Sequence, residues 1–196
     1  MQNVTCFSQR DPRWQAEKLG SGAQTIGQAG CLLTAMASIL VDCGVATDPH
    51  RLNLWLRSHA GYADDNLFVW GSVEGLGVDL ADLVDCARVP APVESLETAL
   101  EAGCSVVCEV DYAPGGTLQR HWVRVVALSA RSGWIMDPWQ LPGGEMVDVQ
   151  DYLAPGWDVG RGIFAAAVYT HNGKRVLEVM DRRASGHQQK LCIRSA

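Results

Sequence analysis

One cysteine in the first third of the chain stands where its thiol could act as a nucleophile. Cys31 follows Gly30 at the end of a glycine-rich loop and precedes apolar residues at helical spacing. We therefore expect a helix over residues 31–43, ended by Gly44 in a left-handed cap. Cys31 would then lie at the helix N-terminus, where unpaired N–H groups and the helix dipole favour a thiolate. The alternative interpretation is a buried, inert cysteine in the first helical turn.

A thiolate that attacks a carbonyl carbon needs a base that takes and returns a proton near neutral pH, and histidine suits that task. Of the five histidines, His121 opens an apolar stretch after a glycine-rich loop, so a strand could hold it beside a cleft. The other four lie at expected helix ends, before a turn or in a polar tail: His50, His59, His171 and His187. His121 is therefore the candidate base.

A third group must orient the imidazole, and Asp137 is the candidate. It ends the apolar stretch Trp-Ile-Met-Asp and is followed by Pro138, which restricts its backbone. A carboxylate that accepts a hydrogen bond from the ring N–H holds the tautomer and stabilises the imidazolium. An Asp-Pro turn without a catalytic role is the alternative interpretation.

The sequence spacing sets a geometric condition on this histidine and aspartate. A symmetric hairpin between the two apolar stretches would pair Leu128 with Trp134. It would place His121 opposite Leu141. That position is four residues beyond Asp137, or about 13 Å along a strand. A bulge, a shifted turn or a sharp twist is therefore required to bring the two side chains together.

The negative charge that develops on the carbonyl oxygen during attack needs hydrogen-bond donors. The backbone N–H of Cys31, at the helix start, can supply one of them. A side-chain amide upstream of the nucleophile is the usual second donor. Gln9, Gln24 and Gln28 all carry such an amide, and their spacing alone does not choose among them.

Apolar periodicity and capping residues divide the chain into a helical first part and a strand-rich second part. Helices are predicted over residues 31–43, 49–58, 67–74 and 92–102. Strands are predicted over residues 104–110, 121–128, 134–136, 163–169 and 176–180. Helices followed by an antiparallel sheet indicate an α+β fold.

Composition and charge limit the domain organisation and the partners. A chain of 196 residues with 47% hydrophobic residues is expected to form one domain, over residues 1–170, followed by a basic extension over 171–196. The net charge is −6, and because the extension carries +4, the remaining body carries −10. An acidic body argues against nucleic-acid binding. The absence of an apolar run of about eighteen residues predicts no membrane span.

Neither the cysteines nor the glycine-rich loop forms the pattern of a metal or cofactor site. Cys104 and Cys108 would share one face of a strand, but no second pair completes a metal site. The loop over residues 20–30 lacks the Lys-Ser/Thr of a phosphate-binding loop. We therefore expect neither cofactor nor metal. Seven cysteines, an odd number, and no secretory signal at the N-terminus predict reduced thiols and a cytoplasmic protein.

Three local patterns resemble the papain-like cysteine peptidases related to the bacteriocin-leader (double-glycine) processing peptidases, above all the stand-alone members of bacteria and their phages. Residues 8–14 are similar to that group's opening Gln-x-Asp-x-x-Trp. Residues 25–31 run through Gly-Cys into an Ala/Leu/Met helix. Residues 121–126 and 135–139 carry the His-Trp-Val and Met-Asp-Pro-Trp patterns, so that the resemblance covers roughly residues 5–140.

The resemblance implies a papain-like α+β fold with Cys31 as nucleophile, His121 as base and Asp137 as the orienting residue. It also favours Gln9 as the oxyanion donor, although the loop between Gln9 and the nucleophile is long compared with compact members. The processing peptidases carry Asp-Cys-Gly or a similar string at the nucleophile, which occurs here around Cys43. Because Cys43 lies at the other end of the expected helix, where the dipole disfavours a thiolate, we reject it.

These observations predict a cysteine peptidase or amidase that forms an acyl-enzyme on Cys31. A polypeptide, or the peptide stem of a bacterial cell wall, is the expected substrate. Two alternatives use the same residues or the same cleft: acyl transfer to an amine, and a catalytically silent module that binds a peptide or a small ligand. The sequence leaves the oligomeric state and the role of the basic extension open.

Overall fold

The structure is a computed structural model that describes residues 4–140 and 144–171. Its helices are α1 Ile26–Ala29, α2 Cys31–Asp42, α3 Pro49–Ser58, α4 Val93–Glu101 and α5 Val159–Gly162. Its strands are β1 Tyr62–Ala63, β2 Leu67–Phe68, β3 Val78–Asp85, β4 Ser105–Asp111, β5 Arg120–Leu128, β6 Gly133–Asp137, β7 Glu145–Asp148 and β8 Ala165–His171. Two short 3₁₀-helices are Trp70–Leu76 and Val149–Tyr152.

Six of these strands form one antiparallel sheet in the order β3-β8-β4-β5-β6-β7, and β1 pairs with β2 apart from it. Strand β4 lies inside the sheet, and all seven of its residues are buried. Its side chains alternate between two cores: Val107 packs in the cluster with α2 and α3, whereas Val106 and Cys108 pack in the cluster with α4. Helices therefore cover both faces of the sheet, and the expected α+β class is confirmed.

Helix α2 is enclosed by the sheet on one side and by α3 on another. Its buried residues form an unbroken run: Leu33, Thr34, Ala35, Met36, Ala37, Ser38, Ile39 and Leu40. The helix is therefore buried on every side over two turns, where the sequence indicated one apolar face. Burial of this kind fixes the direction of the helix and with it the position of its N-terminus.

A polar contact joins α2 to β5 across the core boundary. Arg124, in β5, donates hydrogen bonds to Ser38 Oγ at 2.8 Å and to Asp42 Oδ2 at 2.6 Å. Both acceptors belong to α2, and the arginine side chain is largely buried. A charge-assisted pair with little exposure restricts the two elements more than a surface pair does. Arg124 thereby ties the helix that begins at Cys31 to the strand that carries His121.

Most predicted helices and strands are present, but two predictions about the order of elements are wrong. A short helix was predicted over residues 67–74, but the structure has β2 at Leu67–Phe68. The 3₁₀-helix Trp70–Leu76 follows and is ended by Gly77 with φ +87°, so the prediction is wrong for the first part of the segment and confirmed for the second. Strand β3 was not expected, because its three aspartates and a register shift after Leu80 obscure the alternation. Since β3 precedes α4, helices do not all come before the sheet.

Some predictions fall on parts of the chain that the structure does not describe. The strand expected over residues 176–180 and the basic extension beyond His171 lie outside the described residues. The domain boundary near residue 170 therefore stays a prediction. Among the helices that the structure does describe, none is long and apolar enough to cross a membrane.

Candidate active site

The hairpin between β5 and β6 departs from symmetry at two points. Its turn is one residue tighter than expected, because Leu128 pairs with Gly133. A bulge between Val125 and Ala127 then moves the register by one further residue. The expected pairing of Leu128 with Trp134 is therefore wrong, and the two shifts act in the same direction.

These shifts bring His121 and Asp137 together. Beyond the bulge Arg124 pairs with Met136, so the continued register leaves His121 two residues from Asp137, where four were expected. Residues two positions apart on paired strands are diagonal neighbours on one face of the sheet. The side chains meet there, with His121 Nε2 2.6 Å from Asp137 Oδ1. The bulge and the shifted turn thus meet the geometric condition that the sequence set.

The carboxylate of Asp137 is fully buried and accepts hydrogen bonds at both oxygens. Oδ1 accepts from the His121 ring and, at 2.8 Å, from the Trp139 backbone N–H. Oδ2 accepts from the Tyr152 hydroxyl at 2.5 Å and from Gln140 Nε2 at 3.1 Å. Four donors replace the water that a buried carboxylate loses. The hydrogen bond from the Trp139 N–H is the contact expected of an Asp-Pro turn. Asp137 makes it together with the contact to His121, so the turn does not exclude an orienting role for Asp137.

The charges of this pair stabilise each other. Burial would raise the pKa of Asp137, but the hydrogen bond and positive charge of His121, with the bonds from Tyr152 and Trp139, hold that pKa below its ordinary value. Burial would lower the pKa of His121, but hydrogen bonds and negative charge from Asp137 and the Cys31 side chain raise it to about 9. The His121 imidazole is therefore protonated at neutral pH in this arrangement.

Cys31 is the first residue of α2 and is partly exposed. The Cys31 side chain lies close enough to the His121 ring to contribute to the raised pKa of that histidine. Because Nε2 of the ring contacts Asp137, Nδ1 is the ring nitrogen left for the sulfur. Gly30 separates α1 from α2, and a Cβ there would lie 2.5 Å from the carbonyl oxygen of Ile26. A glycine is thus required for the turn that places Cys31 at a free helix N-terminus, where its own N–H has no intrahelical acceptor.

Gln9 is buried between the segments that carry the nucleophile and the orienting aspartate. Its backbone N–H donates to the carbonyl of Pro138 at 2.7 Å, and its side-chain Nε2 donates to the carbonyl of Gly27 at 3.1 Å. An amide nitrogen has two hydrogens, and the bond to Gly27 uses only one of them. The bond to Gly27, four residues before Cys31, therefore leaves one amide hydrogen of Gln9 unused.

The other two candidate glutamines take part in local structure. Gln28 is exposed, and its Oε1 accepts from the backbone N–H of Thr25 in a capping box at the start of α1. Gln24 is also exposed, and its Oε1 accepts from Asn66 Nδ2 at 2.9 Å. Of the three amides, that of Gln9 is the one buried next to the segments of the candidate site.

Aromatic rings enclose the imidazole. Tyr112 lies edge-on to His121 with the ring centres 5.5 Å apart, and the ring of Tyr152 is stacked at 6.4 Å. Tyr112 also contacts Trp139 at 5.5 Å. Such rings exclude water, and this strengthens the electrostatic interactions between the histidine and its neighbours. Sequence analysis missed Tyr112 and Tyr152, because neither belongs to a motif or to the periodic pattern that identified the strands.

A second cysteine–histidine pair lies at the other end of α2. Cys43 Sγ is 2.9 Å from His171 Nδ1, and Ser105 Oγ is 2.9 Å from His171 Nε2. Sequence analysis placed His171 only before a turn and missed this contact. Two features of the described contacts distinguish the pair from Cys31: the sulfur lies at the negative end of the helix dipole, and the Ser105 hydroxyl contacts the far ring nitrogen of His171, where the carboxylate of Asp137 contacts that of His121. Both features favour a thiolate less than the surroundings of Cys31 do.

The alternative metal pair lies in the core. Cys104 and Cys108 are buried in the cluster that packs on α4, and burial raises the pKa of the Cys108 thiol. Within residues 4–140 and 144–171, no three side chains of His, Cys, Asp or Glu converge in a group that could hold a metal ion.

The raised pKa of His121 predicts a pH-dependent stability. The folded protein binds this proton more tightly than the unfolded chain, so the stabilisation is fully present below about pH 6.5 and is lost as pH rises through about 9. We expect the free energy of unfolding in urea to fall over this range. The fall should be smaller in His121→Gln, and equal slopes for the two proteins would show that folding does not raise the pKa of His121.

Comparisons with known proteins add little to this geometry. No family model matches the chain, and no curated protein matches it at a significant level. Among solved structures, a candidate C39-like peptidase from Bacillus anthracis is similar, with a TM-score of 0.48 and 18% sequence identity over 86% of this chain and 94% of that chain. The arrangement of Cys31, His121 and Asp137 is therefore the feature that indicates a function.

Proposed function

We propose that this chain is a papain-like cysteine peptidase or amidase that cleaves an amide bond through an acyl-enzyme. The position of His121 carries the proposal, because its ring lies near enough to the Cys31 side chain for Cys31 to raise its pKa, and its Nε2 is 2.6 Å from the buried carboxylate of Asp137. A nucleophile, a base and an orienting anion in this order are the parts that nucleophilic acyl transfer requires. A histidine that only packed in the core would not need to contact a fully buried carboxylate that accepts hydrogen bonds from three further groups.

In the first half of the proposed reaction, the Cys31 thiolate attacks the carbonyl carbon of the amide. The oxygen takes up negative charge and accepts hydrogen bonds from the Cys31 backbone N–H and from Gln9 Nε2. His121 then gives its proton to the amide nitrogen, the C–N bond breaks, and the amine leaves. The product of this half is a thioester between Cys31 and the acyl part of the substrate.

In the second half, His121 removes a proton from a water molecule that attacks the thioester carbonyl. The C–S bond breaks, a carboxylic acid is released, and the Cys31 thiolate and protonated His121 are restored. Asp137 keeps the ring oriented and stabilises its positive charge throughout. We propose a polypeptide or a cell-wall peptide as the substrate, since both contain amide bonds that a partly exposed Cys31 can attack.

An isotope experiment tests this proposal and separates hydrolysis from acyl transfer. Peptides from a digested bacterial lysate are incubated with the protein in H₂¹⁸O, with and without an added primary amine, and the products are identified by mass spectrometry. We expect new C-termini that carry ¹⁸O, and none after prior alkylation with iodoacetamide. New amides formed with the amine would indicate transfer. Intact peptides throughout would support the silent binding module.

A further inference from the structure

Two arginines in the N-terminal loop have the same aromatic contact but differ in ion pairing. Arg13 lies over the ring of Trp14 at 4.3 Å and forms an ion pair with Asp11 at 2.8 Å. Arg10 lies over the ring of Trp139 at 4.8 Å. Within the part of the chain that the structure describes, no carboxylate lies at ion-pair distance from Arg10. Arg10 therefore has an aromatic support and open donors, whereas Arg13 has both partners within the chain.

Arg10 lies at the end of a row of aromatic rings that begins at the candidate base, His121, and that we call the aromatic wall. The rings of His121, Tyr112 and Trp139 follow one another at centre distances of 5.5 Å and 5.5 Å. The guanidinium of Arg10 covers the last ring. Its neighbour Gln9 is the proposed oxyanion donor, and Gln9 is anchored to Pro138 next to the same tryptophan. The unpaired cation and the candidate site thus share one continuous surface.

The chemistry of the proposed reaction indicates which half of the substrate meets this wall. His121 protonates the leaving amine, so the leaving half of the peptide must extend past the imidazole. The wall of Tyr112 and Trp139 starts at that imidazole. An extended peptide advances about 3.3 Å per residue, so the ring-to-ring distances place Arg10 beside a position roughly two to four residues beyond the scissile bond.

We propose that Arg10 binds a carboxylate of the substrate on the leaving side of the scissile amide. The preferred substrates are then peptides with Asp or Glu a few residues after the bond, or peptides whose free C-terminus lies there. The guanidinium of Arg10, positioned over the Trp139 ring, can present its N–H groups as a fork that matches a carboxylate. At physiological salt the net negative charge of the chain is screened beyond about 8 Å. The charge of Arg10 therefore determines whether a carboxylate next to it is attracted. This inference rests on the proposed peptidase function and specifies its substrate class.

The test profiles cleavage by the full-length protein without assuming a substrate. A mixture of lysate-derived peptides is digested, and the residues on both sides of each new terminus are counted. We expect acidic residues or free C-termini to be enriched two to four residues after the cleaved bond. Arg10→Gln should lose this enrichment and still cleave neutral peptides. Arg131→Gln, which removes the same charge at the exposed turn at the far end of β5, should keep it.

A synthetic series then measures the preference and separates the two carboxylate sources. One cleaved peptide is made with Glu or Gln at the enriched position, and with a C-terminal acid or amide. We expect the carboxylate form to have a kcat/KM roughly three- to tenfold higher in wild type, and no preference in Arg10→Gln. Cleavage without acidic enrichment, or enrichment that survives in Arg10→Gln, would overturn the Arg10 proposal alone. If the untreated protein cleaves no peptide, although Cys31 in a parallel sample reacts with iodoacetamide as fast as expected, the peptidase proposal is overturned as well.

Discussion

Replacement of Cys31 by alanine is expected to abolish amide hydrolysis, with kcat/KM lowered by a factor on the order of 10⁴ or more. The sulfur of the thiolate is the atom that forms the bond to the substrate carbonyl, so alanine removes the nucleophile of the proposed reaction. Residual activity would come only from binding and the oxyanion donors. Kinetics on a peptide identified in the ¹⁸O experiment would provide the measurement.

Cys43→Ala is the matched control for this prediction. Both cysteines lie at an end of α2, and both contact a histidine, but Cys43 sits at the C-terminal end with a hydroxyl beyond its histidine. We expect Cys43→Ala to keep kcat/KM within a few-fold of wild type. If Cys43→Ala lost activity and Cys31→Ala kept it, the nucleophile would lie at the C-terminal end of α2. That result would contradict the assignment of Cys31.

The second large effect is expected for Asp137. Asp137→Ala should lower kcat/KM by about 10²- to 10⁴-fold, because the imidazole loses both its orientation and the charge that stabilises its protonated form. The same change leaves the buried donors of Tyr152, Gln140 and Trp139 without their acceptor. We therefore expect a loss of stability of about 3 kcal/mol or more, measured by urea unfolding.

Asp137→Asn separates the catalytic effect from the loss of stability. Its side-chain oxygen can still accept a hydrogen bond from the His121 ring, but the negative charge is gone. We expect a folded protein with intermediate kcat/KM and a His121 pKa below that of wild type, read from the pH dependence of activity or from NMR titration. Tyr152→Phe, which removes one of four donors, should change kcat/KM by less than about tenfold. An Asn variant with an unchanged His121 titration would contradict an orienting carboxylate.

The local signals of the sequence were enough to place the nucleophile and its helix. Gly30 before Cys31, and Gly44 after the apolar run, mark the two ends of α2, and Gly44 indeed has φ +90°. Asp48 likewise caps α3 through the N–H of Arg51. Such caps involve residues within a few positions of each other, so their patterns can be read from a single sequence.

Contacts that depend on tertiary structure could not be obtained in this way. The register of β5 and β6 depends on a bulge near Val126 and a tighter turn, which leave no mark on the apolar pattern. Tyr152 and Asp137 are fifteen residues apart in sequence. They meet because the 3₁₀-helix that ends at Tyr152 packs against β6. The pairing of Cys43 with His171 spans 128 residues. Sequence analysis identified the candidate site residues, and the structure shows how they are held.

Competitive alkylation tests the central claim of a Cys31 thiolate beside a protonated His121. The folded protein is treated with limiting iodoacetamide across pH 5 to 9, and the labelling of each cysteine is measured by mass spectrometry. We expect Cys31 to be labelled far faster than the other six below pH 7, and His121→Ala to abolish that advantage. If Cys31 reacts no faster than an ordinary thiol, or if Cys43 is labelled first, the catalytic account is contradicted.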